Sequence, residues 1–351
     1  MIHLLKEVAR GKRGARDLDY GEAAEAAEAI LTRRATPAQI GAFFTAERLK
    51  MESVGEMEAF VRVLRKHAFR CESLGGIDCA GPYDGRKHTF HATFPAAFVL
   101  AAAGLPVTLH GSPSLPPKRG VTLHDLLAEA GIDPAGLTPE HSLRAAAQTG
   151  VLYVPAERWC PPLGELRPIR EELGFRTILN SAEKLVDYSR APYLVLGVYH
   201  NTMFDRIARL VLRLGYRKAL LVQGAEGSED LFADRPTRVC LVENDSLRYL
   251  TMDPESWGLD VPADPPGEWT ARDQLDAVEA VLRGEGELSR LHQTLLNAAV
   301  RLHLAERAGS LEEGLYISKA LIDNGSAFDV YERWRRALLI RTAGERTAAS
   351  W

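Results

Sequence analysis

Between Asp78 and Gly120 the chain reads DCAGPYDGRKHTFHATFPAAFVLAAAGLPVTLHGSPSLPPKRG. This stretch constrains the fold most, because it sets loop, helix, strand and loop in an order that few architectures accept. A loop containing Gly, Pro and Asp runs from Cys79 to Arg86 and leads into the small and polar residues Thr89 to Thr93. Pro95 opens an Ala-rich run that Gly104 closes, the usual asymmetry of a helix. A short strand, Pro106 to Leu109, and a second loop, His110 to Gly120, follow. The two loops can then face one ligand, with a helix N-terminus between them whose N–H groups favour anions, phosphate above all.

The flanking pattern sets the fold class. Before this stretch the chain is helical. Asp19 with Glu22, Thr36-Pro37 with Gln39, and Ser53 with Glu56 are helix starts of the capping-box type. Each is followed by apolar residues at helical spacing: Ala23, Ala27, Ile30 and Leu31; Ile40, Phe43 and Phe44; Met57, Phe60, Val61 and Leu64. After Gly75, strands alternate with helices. Tyr193 to Val198 is apolar enough for a parallel strand buried on both faces. A helix capped by Asn201, with Met203, Ile207, Leu210, Val211 and Leu214 on one side and ended by Gly215, and strands Ala219 to Val222 and Thr237 to Val242 come next. PADPPG, 262–267, reads as a loop, Leu288 to Ala308 as a helix, and TAGERTAASW, 342–351, as a mobile tail. The expected class is α/β: a helical bundle over 1–70, joined by helices near 168–190, and a larger domain over 71–341 with a mainly parallel sheet. Ligands in such sheets bind beyond the carboxyl ends of strands, here after Leu109 and Val222.

Composition excludes several classes. A length of 351 residues gives a prior of about two domains, and a formal charge of −4 argues against a global polycation. Cys71, Cys79, Cys160 and Cys240 form no C-x-x-C pair, which disfavours a zinc site or disulfide framework and suits a reducing cytoplasm. No signal peptide or apolar run of transmembrane length is legible.

With its flanks, the stretch resembles the anthranilate phosphoribosyltransferases, glycosyltransferase family 3. RRATPAQIGAFFTAERLKMES, PIREELGFRTILN and SLEEGLYISKALIDNGSAF carry the resemblance over most of the chain. The family's GTGGD and following TFNIS correspond here to GPYDGRKHTFHAT, its KHGNR to LHGSP, and its SSKCGSAD to PPKRGVTL. The resemblance implies a nucleoside phosphorylase/phosphoribosyltransferase-like fold, a homodimer formed through the helical domain, and transfer of a pentosyl group with Mg²⁺. The donor-binding residues so implied are Gly81, Asp84, Gly85, Thr89, His91, Thr93, His110, Gly111, Lys118 and Gly120. Arg170 would face the acceptor, because a guanidinium fork suits a carboxylate. Glu229 and Asp230 would hold the Mg²⁺, as one or two carboxylates commonly do beside phosphate oxygens.

Each assignment has a plainer counterpart. Gly81 and Gly85 admit backbone near phosphate, with Arg86, Lys87 and His88 for charge; yet Pro82 donates no N–H, and a rebuilt surface loop fits equally. His110 can be a satisfied structural group, Lys118-Arg119 a solvated basic turn, and Glu229-Asp230 solvated acids. Arg170 can pair with nearby acids such as Glu171 or Glu172. The expected activity is phosphoribosyl or pentosyl transfer to an unidentified nitrogenous or aromatic acceptor. Anthranilate transfer is expected to be poor, since Pro82, Tyr83, Pro116 and Pro117 replace glycines and hydroxyl residues. The alternative is a catalytically lost relative that binds nucleic acid or nucleotides. Its basic clusters would be Lys12, Arg13 and Arg16; Arg33 and Arg34; Arg62, Arg65 and Lys66; and Arg333, Arg335 and Arg336.

Overall fold

The computed structural model describes residues 1–339 except 12, 73 and 263–266. The expected tail, the middle of the PADPPG loop and Lys12 therefore lie outside the described residues.

The three helix starts form as the local chemistry dictates. Asp19, Thr36 and Ser53 each accept the N–H of the third helical residue, and Glu22, Gln39 and Glu56 each answer on the cap N–H. The helices are Tyr20–Leu31, Pro37–Lys50 and Val54–His67, preceded by Ile2–Val8. Helix Tyr20–Leu31 packs on Val54–His67, and Ile2–Val8 on Pro37–Lys50. Two later segments complete the bundle: Arg167–Leu173 packs on Pro37–Lys50, and Leu179–Ala182 on Val54–His67.

The sheet is built of β1 (Ile77–Ala80), β2 (Val107–Gly111), β3 (Val151–Pro155), β4 (Tyr193–Gly197), β5 (Lys218–Val222), β6 (Thr237–Glu243) and β7 (Ser246–Met252). Their order is β3-β2-β1-β4-β5-β6-β7. The first five are parallel; β6 and β7 add antiparallel at one edge. The chain leaves β1 and crosses to β2 on one side and reaches β4 on the other, so the carboxyl end of β1 is a topological switch point, where such sheets open a crevice. Alternate strand residues feed two cores. Ala80, Leu194, Leu196 and Leu221 face the helical bundle, while Cys79, Leu109, Val195 and Val222 face the opposite helices.

Helix Thr93–Ala102 is buried all round, under Leu288–Leu304 and Ser326–Leu339, which is why it carries no polar face. It begins two residues before Pro95, which takes a place in its first turn. Three further boundaries differ from expectation. His110 and Gly111 belong to β2 rather than to the loop after it, since Val154 and Pro155 of β3 pair with them. The helix expected over Leu288 to Ala308 stops at Leu304. Helix Asn201–Arg213 starts with His200, not Asn201, in the cap position.

Candidate functional site

A cleft of about 770 Å³, part of it open to solvent, lies where the bundle meets the carboxyl ends of β1, β4 and β5. Helix Pro37–Lys50 and its exit supply Arg48 and Glu52; the loop after β1 supplies Tyr83 and Asp84; the 176–184 segment supplies Arg176 and Lys184. Lys184 donates to the Gly197 carbonyl at 2.6 Å, and burial pulls its ammonium down to about 8. Arg176 lies over the Tyr199 ring, 5.2 Å from its centroid, and donates to Asp84 at 2.6 Å.

The loop after β1 is folded onto protein. Tyr83 is buried and its hydroxyl meets His110 Nδ1 at 2.7 Å. Asp84 is held by Arg176 and by Lys118, the latter at 3.2 Å. A Cβ on Gly85 would stand 2.2 Å from the Gly120 carbonyl oxygen, and one on Gly120 would stand 2.6 Å from Arg86 backbone. A Cβ on Gly81 would meet Glu229 at 2.7 Å. These glycines let loops approach each other where a Cβ would clash. His91 is buried, its Nε2 meets the Val121 carbonyl at 2.9 Å, and burial followed by the nearby Arg86 lowers its pKa to about 3. It is a neutral structural imidazole.

Three expected roles meet other partners. His110 is 2% exposed, with Nε2 at 3.1 Å from the buried Asp78, and does not line the cleft. Arg170 is also 2% exposed and lies bidentate on Glu183, at 2.6 and 2.9 Å. Neighbouring Glu171 binds Arg167 and Arg119 instead. The fork that suits a substrate carboxylate thus already holds a protein one. Glu229 and Asp230 are buried against two guanidinium groups. Arg86 reaches Asp230 at 2.5 Å and Glu229 at 3.7 Å, and Arg301 reaches Asp230 at 3.4 Å. Thr93 gives Asp230 its hydroxyl at 2.5 Å and its N–H at 3.2 Å. Burial opposes the charge on Asp230, but the two arginines and Thr93 hold its carboxyl below the usual range.

This donor set does not suit Mg²⁺. Both Asp230 oxygens are taken, and a dication on the pair would stand against Arg86 and Arg301. Glu229 Oε2 is buried without a hydrogen-bond partner, 3.7 Å from Arg86. Among the described residues no group of three or more His, Cys, Asp or Glu is arranged to hold a metal ion. The cluster is charge-balanced by protein cations.

Arg301, Glu183 and Glu226 were not legible as site residues. Arg301 left one signal: it follows Ala298 by three on the apolar stripe of Leu288–Leu304, a charge where a core residue belongs. Glu183 lies 13 residues after its partner, and Glu226 far from the loop it binds, so spacing gives no hint of either.

A helical bundle before a mainly parallel sheet, with a cleft at the switch point between them, defines a two-part helical and α/β architecture. The chain belongs to the glycosyl transferase family: the family's helical bundle domain matches residues 2–68 and its a/b domain residues 77–328. It is 37% identical to an anthranilate phosphoribosyltransferase of Thermomicrobium roseum over 323 residues, 90% of this chain and 92% of that one. It is 33% identical to the one of Symbiobacterium thermophilum, covering 95% and 97%. An Aquifex aeolicus protein described as uncharacterized is 29% identical, covering 88% and 95%. Among solved structures, anthranilate phosphoribosyltransferase of Thermus thermophilus superposes with a TM-score of 0.80 at 24% identity, over 96% of this chain and 99% of that one. The Saccharomyces cerevisiae enzyme in complex with PRPP and Mg superposes with 0.79 at 18%, over 96% and 97%.

Proposed function

We propose that this chain binds a phosphorylated ribose ligand in the interdomain cleft through protein cations, without a carboxylate-held Mg²⁺, and transfers phosphoribosyl groups to anthranilate poorly. The observation that carries this reading is the internal neutralisation of Glu229 and Asp230 by Arg86 and Arg301. The cleft still offers positive charge from Arg48, Arg176 and Lys184. The Glu183 carboxylate on Arg170 argues in the same direction, because an anthranilate carboxylate would have to displace it from a buried, bidentate pair.

The reaction class that the family implies is pentosyl transfer, in which the C1–O bond breaks and diphosphate leaves with the electron pair. In this cleft Arg48, Arg176 and Lys184 are the groups available to meet that leaving charge. The nucleic-acid reading loses ground for an electrostatic reason. Arg16 is committed to Glu7 and Glu22, Arg62 to Glu58, and Arg335 and Arg336 to Glu332.

Calorimetric titration with phosphoribosyl diphosphate tests the proposal. A charge-assisted contact contributes about 1.5–3 kcal/mol, so Arg176→Gln should weaken binding by roughly tenfold or more. Efficient anthranilate turnover by the purified protein would overturn it.

A further inference from the structure

Glu226 sits in a ring of donors that belong to another loop. Its carboxylate accepts the Lys87 N–H at 3.0 and 3.1 Å, the His88 N–H at 3.0 Å and the Thr89 hydroxyl at 2.8 Å. Consecutive backbone N–H groups with a hydroxyl, converging on one anion, form the kind of concavity by which proteins hold phosphate. Burial works against the Glu226 charge, yet these donors and Lys118 bring its carboxyl below the usual range, so it is ionised at neutral pH.

The donor loop is braced from its other side, independently of Glu226. The Lys87 carbonyl accepts the Trp269 N–H at 2.7 Å, and the Thr89 carbonyl accepts from Gln274 at 2.8 Å. The occupant sits on a turn of its own, Ala225–Gly227, between β5 and β6, with Glu226 at φ 52° and Gly227 at φ 80°. Lys118 donates to the Glu226 carbonyl oxygen at 2.7 Å, which places an ammonium beside the seat. Glu226 and Gly227 both line the cleft.

We propose that Glu226 is a tethered occupant of a phosphate seat formed by Lys87, His88 and Thr89, and that a phosphorylated ligand takes the seat when the Ala225–Gly227 turn carries the carboxylate away. The proposal rests on the reading that the cleft takes a phosphorylated ligand, and adds a contact at its edge that competes with that ligand. Two anions cannot share the same donors, because like charges in close contact repel. Entry is therefore an exchange in which one carboxylate leaves and one phosphate group arrives, on unchanged donors and with Lys118 adjacent. The observed affinity of the native protein is reduced by the fraction of molecules in which the turn is closed.

Inorganic diphosphate is the probe. Glu226→Ala removes the occupant, and calorimetry should show diphosphate binding at least tenfold tighter than in the native protein. Adding Thr89→Val, which deletes one donor, should remove most of that gain. Glu226→Gln keeps the shape without the charge and should show a smaller gain; it serves if the alanine variant does not fold, as judged by thermal unfolding. A folded Glu226 variant that binds diphosphate no tighter than the native protein overturns the proposal. If the native protein binds phosphoribosyl diphosphate while the variants gain nothing, the seat fails and the cleft reading stands. If the variants gain diphosphate affinity and no form binds phosphoribosyl diphosphate, the seat stands and the cleft reading fails.

Discussion

Asp230 places one carboxylate between two buried guanidinium groups, and its removal leaves Arg86 with Glu229 at 3.7 Å and Arg301 with no paired carboxylate. In Asp230→Asn, Arg301 keeps only neutral partners, the Asn297 side chain and carbonyl, the Thr93 hydroxyl and the Glu229 carbonyl. Breaking a buried pair costs about 3–5 kcal/mol, so urea unfolding should show a loss of that order; a change below about 1 kcal/mol would show that the pair is dispensable. Lys184 makes a pH-dependent prediction. Its ammonium is lowered to about 8 by burial, so it is charged at pH 7 and loses its proton as pH rises through that value. Affinity for an anionic ligand in the cleft should therefore fall above about pH 8, and Lys184→Met should flatten the profile while lowering affinity at pH 7. The residue types of this site were legible, but their partners were not. Arg86 and the acidic pair stand out in the sequence, whereas their mutual neutralisation depends on contacts across 144 positions, which no local pattern encodes.

The elements were legible where the signal is local. Capping boxes involve residues three apart, so Asp19, Thr36 and Ser53 could be read directly, as could Gly104 and Gly215 beyond their helices, at φ 76° and 82°. The edge strand β7 was missed because it is exposed along most of its length and shows no buried face. The glycine loop after β1 reads equally as a phosphate cradle and as a rebuilt surface loop, and in the structure Gly85 and Gly120 allow a backbone-to-backbone approach. That difference has a test. Gly85 has φ 73°, and its Cβ would lie 2.2 Å from the Gly120 carbonyl oxygen, so Gly85→Ala should lose about 1–3 kcal/mol for the left-handed backbone alone and more for the clash. Gly111 has no positive φ, and its Cβ would meet only Tyr153, at 3.9 Å, so Gly111→Ala should be tolerated better. Thermal unfolding of the two variants side by side checks the contrast.

At the scale of the whole molecule, the helical bundle leaves large apolar side chains uncovered. Ile2 is 63% exposed, Tyr20 46% and Leu49 80%. Such residues, on helices whose other faces are packed, support the proposal that this bundle takes a second copy of the chain. Sedimentation should give a dimer at micromolar concentration, and Leu49→Glu should shift it toward monomer; a native monomer would refute the assignment. The overall architecture could be read because apolar runs of strand length alternate with helical periodicity from β1 onward. What the cleft does is harder to read, because the charged residues around it are paired with partners far away in the sequence. The most direct measurement is calorimetric titration with phosphoribosyl diphosphate in parallel, with excess Mg²⁺ and with a chelator. The account predicts binding of similar affinity in both, since Arg86 and Arg301 already balance the acidic pair. Binding that appears only with Mg²⁺ and is abolished in Glu229→Gln would contradict it.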